Sequence, residues 1–158
     1  MPSPNPTRPA APHRKDARRL LASGLGENFA FLLSRAGVLT TETANAAVEP
    51  LGISIQEYMV LSFSTVSPPP SQRELSQVLR LDPSRIVGLV DRLEQAGLVQ
   101  RLPSPTDRRV KQVVPTDTGQ RLSQQGAVIL AEVHAQQFAG LQPEEIAALS
   151  AIVRRIAL

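Results

Sequence analysis

The chain has 158 residues, 42% hydrophobic but only 3% aromatic, which fits one ordinary domain with an aliphatic core suited to helix packing. Seventeen basic against fourteen acidic residues leave a formal charge of +3, too small to name a partner, and the absence of cysteine excludes disulfides, thiol switches and Cys-ligated metals. No apolar run approaches the ~18 residues that span a bilayer, and the first twelve residues lack the apolar stretch of a secretory signal, so the expectation is a cytoplasmic protein without a membrane partner.

Residues 1–15, rich in proline, read as a disordered tail, and a basic cluster, Arg14, Lys15, Arg18 and Arg19, lies near the start of the chain. From Asp16 the spacing of Leu20, Leu21, Leu25, Phe29, Leu32 and Leu33 predicts a long helix to about Val48, weakened locally by Gly24 and Gly26. Ser54 and Glu57 form a capping box that starts a second helix, with Ile53 and Tyr58 as a hydrophobic staple. Val66 to Pro70 is a loop. Ser71 and Glu74 form a second box before a short helix with Leu75, Val78 and Leu79 on one face. Asp82 then caps a helix opened by Pro83, lasting to Ala96 and stopped by Gly97. Two short helices across a tight turn are a helix-turn-helix signature. Leu98–Leu102 and Val110–Val114 read as the strands of a hairpin, a wing. Thr116 caps a helix beginning near Gly119, with Leu122, Ile129, Leu130, Val133 and Phe138 as its apolar residues. Pro143 opens a last helix with the stripe Ile146, Leu149, Ile152, Val153 and Ile156.

The second helix of the pair carries the chemistry. Ile86, Leu89, Val90 and Leu93 stand at i, i+3, i+4 and i+7 and form its inward face. Ser84, Gly88, Asp91, Arg92 and Gln95 lie opposite, with Arg85 and Val87 on the flanks. In such a motif the N-terminal part of the outer face enters the major groove. Ser84, Arg85, Val87 and Gly88 are therefore the candidate groove residues; Arg85 can fork onto guanine or grip phosphate, and Gly88 lets the backbone approach closely. Taken alone, the pattern equally fits an amphipathic helix with a solvated face. The wing decides between them. Asp107, Arg108 and Arg109 occupy a hairpin tip, where arginines cannot serve a core but can enter a minor groove. Asp107 reads as a clamp, pairing with one arginine so that the other points outward. Ser71, Gln72, Arg73, Arg101 and Lys111 are candidate phosphate contacts.

The run Leu93-Glu94-Gln95-Ala96-Gly97-Leu98-Val99, then Arg101, Asp107-Arg108-Arg109 and Pro115-Thr116-Asp117-Thr118-Gly119, resembles the signature of the MarR family. Leu51-Gly52-Ile53-Ser54 followed by Val60-Leu61 resembles that family's second-helix opening. The match is specific from about Leu51 to Leu122. The resemblance implies a mainly α fold with a small β-hairpin wing, and a homodimer built from the terminal helices. It also implies that Arg108 is the minor-groove residue, supported by Asp107 and Arg109. Gly88 departs from a pattern in which many members carry a larger side chain, as do the Pro68-Pro69-Pro70 loop and the Pro-rich tail. On this reading residues 16–50 form the N-terminal dimerisation helix, 51–118 the DNA-binding module and 119–158 the C-terminal dimerisation helices.

An enzyme is not expected. The only histidines are His13 and His134, and no nucleophile elbow, phosphate-binding loop or zinc-protease motif is present. No cofactor or metal is expected; His134 with carboxylates such as Glu132, or across a dimer, could hold a metal, but a structural or exposed histidine is the more ordinary reading. The resemblance further implies control by a small aromatic ligand, for which Phe29, Phe31, Arg35, Tyr58, Met59 and Phe63 are candidates. Without a thiol, the peroxide-sensing members are no guide. The expected partner is double-stranded DNA, bound by a dimeric regulator, with a repressor as the leading role. The alternative is a winged-helix module that binds protein instead of DNA.

Overall fold

The computed structural model of the chain describes residues 21, 22 and 24–157. The Pro-rich tail, the basic cluster, His13, Leu20 and the helix start at Asp16 lie outside them. The expected unbroken first helix is corrected. Residues 24–27 form a turn, and helix α1 spans Phe29–Val48. Asn28 sets its start, because its Oδ1 accepts the Phe31 N–H at 3.0 Å. Two glycines in the preceding turn remove the helical preference that the leucine spacing suggested. The chain divides into two compact units between Leu39 and Thr40, within α1. The buried core and every later element belong to the second.

There, α1 ends in a 3-10 turn (Glu49–Leu51), closed by Gly52 at φ 75° donating to the Glu49 carbonyl. Helix α2 (Ile55–Ser64) and helix α3 (Gln72–Leu79) each open with the complete capping box read from the sequence. Arg80 takes the left-handed conformation (φ 53°) in the turn between α3 and helix α4 (Pro83–Gln95). The Ser76 hydroxyl fastens that turn by donating to the Leu81 carbonyl at 2.7 Å. Gly97, at φ 69°, ends α4 as expected.

Strands β1 (Val99–Pro103) and β2 (Lys111–Pro115) pair antiparallel, with Arg101 opposite Val113. Both lie one residue later than expected. The hairpin is tied to the helix pair, since Val113 N–H donates to the Pro70 carbonyl at 2.8 Å and Ser71 bridges to Gln112. Helices α5 (Asp117–Gln137) and α6 (Pro143–Ala157) follow.

The core gathers Val48, Val60, Leu61, Leu75, Ile86, Leu89, Val90, Leu93, Val99 and Val113, none more than 2% exposed. Burial of each such aliphatic side chain is worth about 1.5–3 kcal/mol, so α4 is held by its inward face on α2 and α3. Val78 departs from the expected face of α3: it is 53% exposed, whereas Leu75 is fully buried and Leu79 packs against the core. The i, i+4 pair points inward, and Val78 falls on the flank.

The opening of α5 explains a motif of the sequence. The Thr116 hydroxyl accepts the Gly119 N–H at 3.1 Å and donates to the Gly97 carbonyl at 2.7 Å. A Cβ on Gly119 would stand 1.9 Å from the Leu98 carbonyl oxygen. The spacing of threonine and glycine thus lets the first turn of α5 lie directly on the chain entering β1.

Candidate nucleic-acid interface

The outer side of α4 is built from its cap outward. Asp82 Oδ1 accepts both the Ser84 N–H at 2.8 Å and the Ser84 hydroxyl at 2.6 Å. The Ser84 hydroxyl, and after it the Ser84 backbone N–H, hold the Asp82 carboxyl below the ordinary carboxylate range. Ser84 is therefore engaged in the cap, and its proton is committed locally. Arg85 is exposed and donates twice to Gln56 Oε1 on α2, from Nε at 2.9 Å and from Nη2 at 2.6 Å. Val87 is 44% exposed. At Gly88 a Cβ would meet only the Arg92 Nη1 atom, at 3.8 Å. Packing does not require a glycine there, so the missing side chain leaves an open surface.

Arg92 pairs with Glu57, the N3 residue of the α2 capping box. Burial pushes the Glu57 carboxyl up, but the Ser54 N–H, the Arg92 guanidinium and the Ser54 hydroxyl together hold it below its usual value. Glu74 is likewise lowered, by the Ser71 N–H and hydroxyl of its own box. One carboxylate thus caps α2 and anchors α4.

Arg101 occupies the junction of wing and helix. Its Nη2 lies 2.6 Å from Asp91 Oδ1, its Nη1 contacts Glu94, and its Nε donates to Gln72 Oε1 at 3.2 Å. The Arg101 side chain is 16% exposed. It straps β1 to α4 and carries its charge balance within the protein, and Gln72 is drawn into the same network. Of the other candidate phosphate contacts, Ser71 serves its capping box, while Arg73 and Lys111 are exposed.

The wing tip is ordered by its own backbone. Ser104 N–H donates to the Val110 carbonyl at 2.8 Å, and Val110 N–H donates to the Asp107 carbonyl at 3.0 Å. Asp107 Oδ1 accepts the Arg109 backbone N–H at 2.9 Å. The expected clamp is corrected in kind: the carboxylate holds the turn through a main-chain amide two residues on, not through a guanidinium. Aspartate closes such turns readily, whereas an ion pair at an exposed tip gains little. Arg108 and Arg109 are both exposed, and neither guanidinium has a carboxylate partner among the described residues.

The basic side chains of the module fall into two groups. Arg92 and Arg101 are neutralised by Glu57, Asp91 and Glu94. Arg73, Arg80, Arg85, Arg108, Arg109 and Lys111 have no acidic partner among the described residues. Gln56 and Glu57 escaped the sequence reading as partners of α4, because their contacts span 29 and 35 residues. The only local signal was the capping box.

The ligand candidates do not converge in the same way. Tyr58 is buried and lines a cavity of about 430 Å³ with Ser62, Thr65, Gln120 and Ser123. Met59 packs against the core, and Phe63 is 37% exposed. In the first unit Phe29 and Arg35 are exposed, and Phe31 is half-buried. Half-buried His134 stacks obliquely on Phe138, with ring centroids 6.3 Å apart. Among the described residues no group of three His, Cys, Asp or Glu is placed to hold a metal ion, and no helix is long and apolar enough to cross a membrane.

Comparison with known proteins gives the same picture. The sequence model of the MarR family matches residues 51–110. A transcriptional regulator of that family from Rhodococcus sp. RHA1 has a similar crystal structure, with TM-score 0.81 and 33% identity, covering 87% of this chain and 97% of that one. The crystal structure of CouR from Rhodococcus jostii RHA1 bound to p-coumaroyl-CoA is similar at TM-score 0.80 and 33% identity, covering 87% and 96%. The HTH-type transcriptional repressor Rv2887 of Mycobacterium tuberculosis is 28% identical over 111 residues, 70% of this chain and 80% of that protein.

Proposed function

The chain belongs to the MarR family of transcriptional regulators, and on that premise we propose that it is a homodimeric repressor that binds an inverted-repeat operator. Ser84, Arg85, Val87 and Gly88 face the major groove in this proposal, and the wing tip of Asp107, Arg108 and Arg109 faces the minor groove. Arg73 and Lys111 take phosphates, as does the N-terminus of α3 around Ser71 and Gln72. Arg101 is reassigned from phosphate contact to internal strap.

The observation that carries the reading is the division of charge. Arg92 and Arg101, which join α4 to α2 and to β1, are matched to acids; Arg108 and Arg109 at the wing tip, Arg85 on the first turn of α4, and Arg73 and Arg80 on the helix pair are not, among the described residues. A cation left unmatched at a hairpin tip contributes nothing to packing and is free to displace counterions from a phosphate backbone. A wing made for a protein partner has no need of two adjacent arginines there.

Dimerisation is proposed through residues 119–158 together with the first helix. No residue of α6 is buried, and Ile146, Leu149, Ile152 and Ile156 are 39%, 46%, 50% and 61% exposed. An apolar stripe of that length calls for a cover. A second copy supplies it and gives the twofold symmetry that an inverted repeat mirrors.

Release by a small aromatic ligand is the regulatory part of the proposal. The cavity beside Tyr58 is its candidate site in the second unit, with Met59 and Phe63 adjacent in sequence on α2. CouR is bound to p-coumaroyl-CoA, and it is the aromatic acyl group of that thioester, not its coenzyme A part, that matches this class in chemistry and size.

The test is fluorescence anisotropy of the full-length chain with a duplex from its own upstream region, against a scrambled duplex. Tighter binding to the upstream duplex is expected. Equal affinity for both, or none, would favour a protein-binding module.

A further inference from the structure

Two arginines seven residues apart on α4 meet two consecutive side chains of α2: Arg85 meets Gln56 and Arg92 meets Glu57. The acceptors differ in charge. Glu57 neutralises Arg92, whereas Gln56 is neutral and leaves Arg85 its full positive charge. The contact also divides the guanidinium. Gln56 Oε1 accepts from Nε at 2.9 Å and from Nη2 at 2.6 Å. A guanidinium has five N–H donors in one plane. Two are taken on the Nε side; of the three that remain, one on Nη1 and one on Nη2 lie parallel and form the terminal edge of the fork. Two parallel N–H groups on that edge fit the O6 and N7 atoms of a guanine in the major groove.

We infer that Gln56 is a positioning residue for base reading: it holds Arg85 by the Nε side so that the terminal edge is presented to a guanine. The inference rests on the proposal that α4 is the recognition helix, and Gln56 itself touches no base in it. Neighbouring side chains narrow the role to Arg85. The Ser84 proton is committed to Asp82, Val87 has no donor and Gly88 has no side chain. A free arginine on an exposed helix flank samples many rotamers and grips any phosphate; one held by a neutral acceptor discriminates. Glutamine suits this task better than glutamate, which would orient the fork equally but cancel the charge that DNA attracts.

The full-length chain selects its operator from a random duplex pool. Affinities of parent, R85A, Q56A, Q56M and Q56A/R85A are then measured on that operator and on versions with single guanines replaced by adenine. At one guanine of each half-site the parent should discriminate roughly 5- to 140-fold, which is the 1–3 kcal/mol of a bidentate pair at 1.4 kcal/mol per tenfold. R85A should lose that discrimination. Q56A and Q56M should fall most of the way to the R85A ratio while binding non-specific duplex as the parent does. The double variant should be no worse than R85A, because the two side chains act as one unit. Q56E should keep the guanine preference with weaker binding to every duplex. A parent-like preference in both Q56A and Q56M would overturn the inference, as would tighter operator binding by Q56A, which would make Gln56 a parking site for Arg85. If R85A discriminates like the parent at every guanine, the recognition-helix reading itself fails.

Discussion

Two glycines should respond to the same substitution with opposite signs. Gly88 lies in the interior of α4, where a Cβ would meet only Arg92 Nη1 at 3.8 Å, the far end of a flexible chain. Glycine inside a helix costs about 0.5–1 kcal/mol relative to alanine, and G88A should recover that amount. For a chain of this size about 1 kcal/mol moves Tm by roughly 2–4 °C, so G88A should melt about 1–4 °C higher. Gly119 is the reverse case. Its Cβ would fall 1.9 Å from the Leu98 carbonyl oxygen and 3.1 Å from Leu61 Cδ1. The first is backbone, fixed by the Thr116 amide at 3.0 Å, and cannot turn aside. Overpacking typically costs 1–3 kcal/mol, and a backbone collision belongs at the upper end. G119A should therefore lose about 3 kcal/mol and melt roughly 6–12 °C lower. Differential scanning calorimetry at one fixed protein concentration measures both, since the Tm of the proposed dimer would depend on concentration. Operator affinity completes the test: G88A should bind DNA more weakly although it is more stable. A lower Tm for G88A would mean that the outer side of α4 is not open. A parent-like Tm for G119A would mean that α5 does not lie on the entry to β1.

Further outcomes follow from the same geometry. R108A should weaken operator binding by roughly 1–3 kcal/mol with a salt slope shallower by about one, and leave Tm unchanged; surface plasmon resonance at two salt concentrations measures it. D107A should also weaken binding, because it frees the turn at the Arg109 amide. Tighter binding would show that simple charge dominates at the tip. I152E combined with I156E should give a monomer by light scattering and abolish tight operator binding, while an unchanged mass would place the dimer on another surface. The folded-state pKa values of Glu57, Glu74 and Asp82 are lowered. The stability these three contribute is thus complete above the ordinary carboxylate range and is lost as pH falls through their folded values. Tm should hold from neutral pH to about pH 5 and then fall, less steeply in E57Q combined with E74Q; an identical slope in that variant would remove the capping boxes as its cause.

Much of this was legible because the signals are local. A capping box needs four consecutive residues, and both formed as read. The inward face of α4 follows from one helical period, and Ile86, Leu89, Val90 and Leu93 are all buried. The wing was visible from its turn residues, although each strand lies one residue later, ending on Pro103 and Pro115. What the sequence hid is long-range or side-chain-specific. Arg101 looked like a free cation, and only folding brings Asp91, Glu94 and Gln72 around it. Asp107 read as the partner of a guanidinium, but its carboxylate takes the Arg109 main-chain amide instead, a choice that exposure decides. The leucine spacing from Asp16 onward suggested one helix, yet the turn at residues 24–27 overrides periodicity where glycines remove the local preference.

The central claim is that a twofold dimer of this chain reads a palindromic site. A hydroxyl-radical footprint of the full-length protein on its own upstream region measures that directly. Two matching protected patches related by a dyad are expected, with their centres about 10 bp, or 34–36 Å, apart or a multiple of that, and R108A should erase protection at the outer, minor-groove positions first. One asymmetric patch, or uniform protection without a boundary, would contradict the claim.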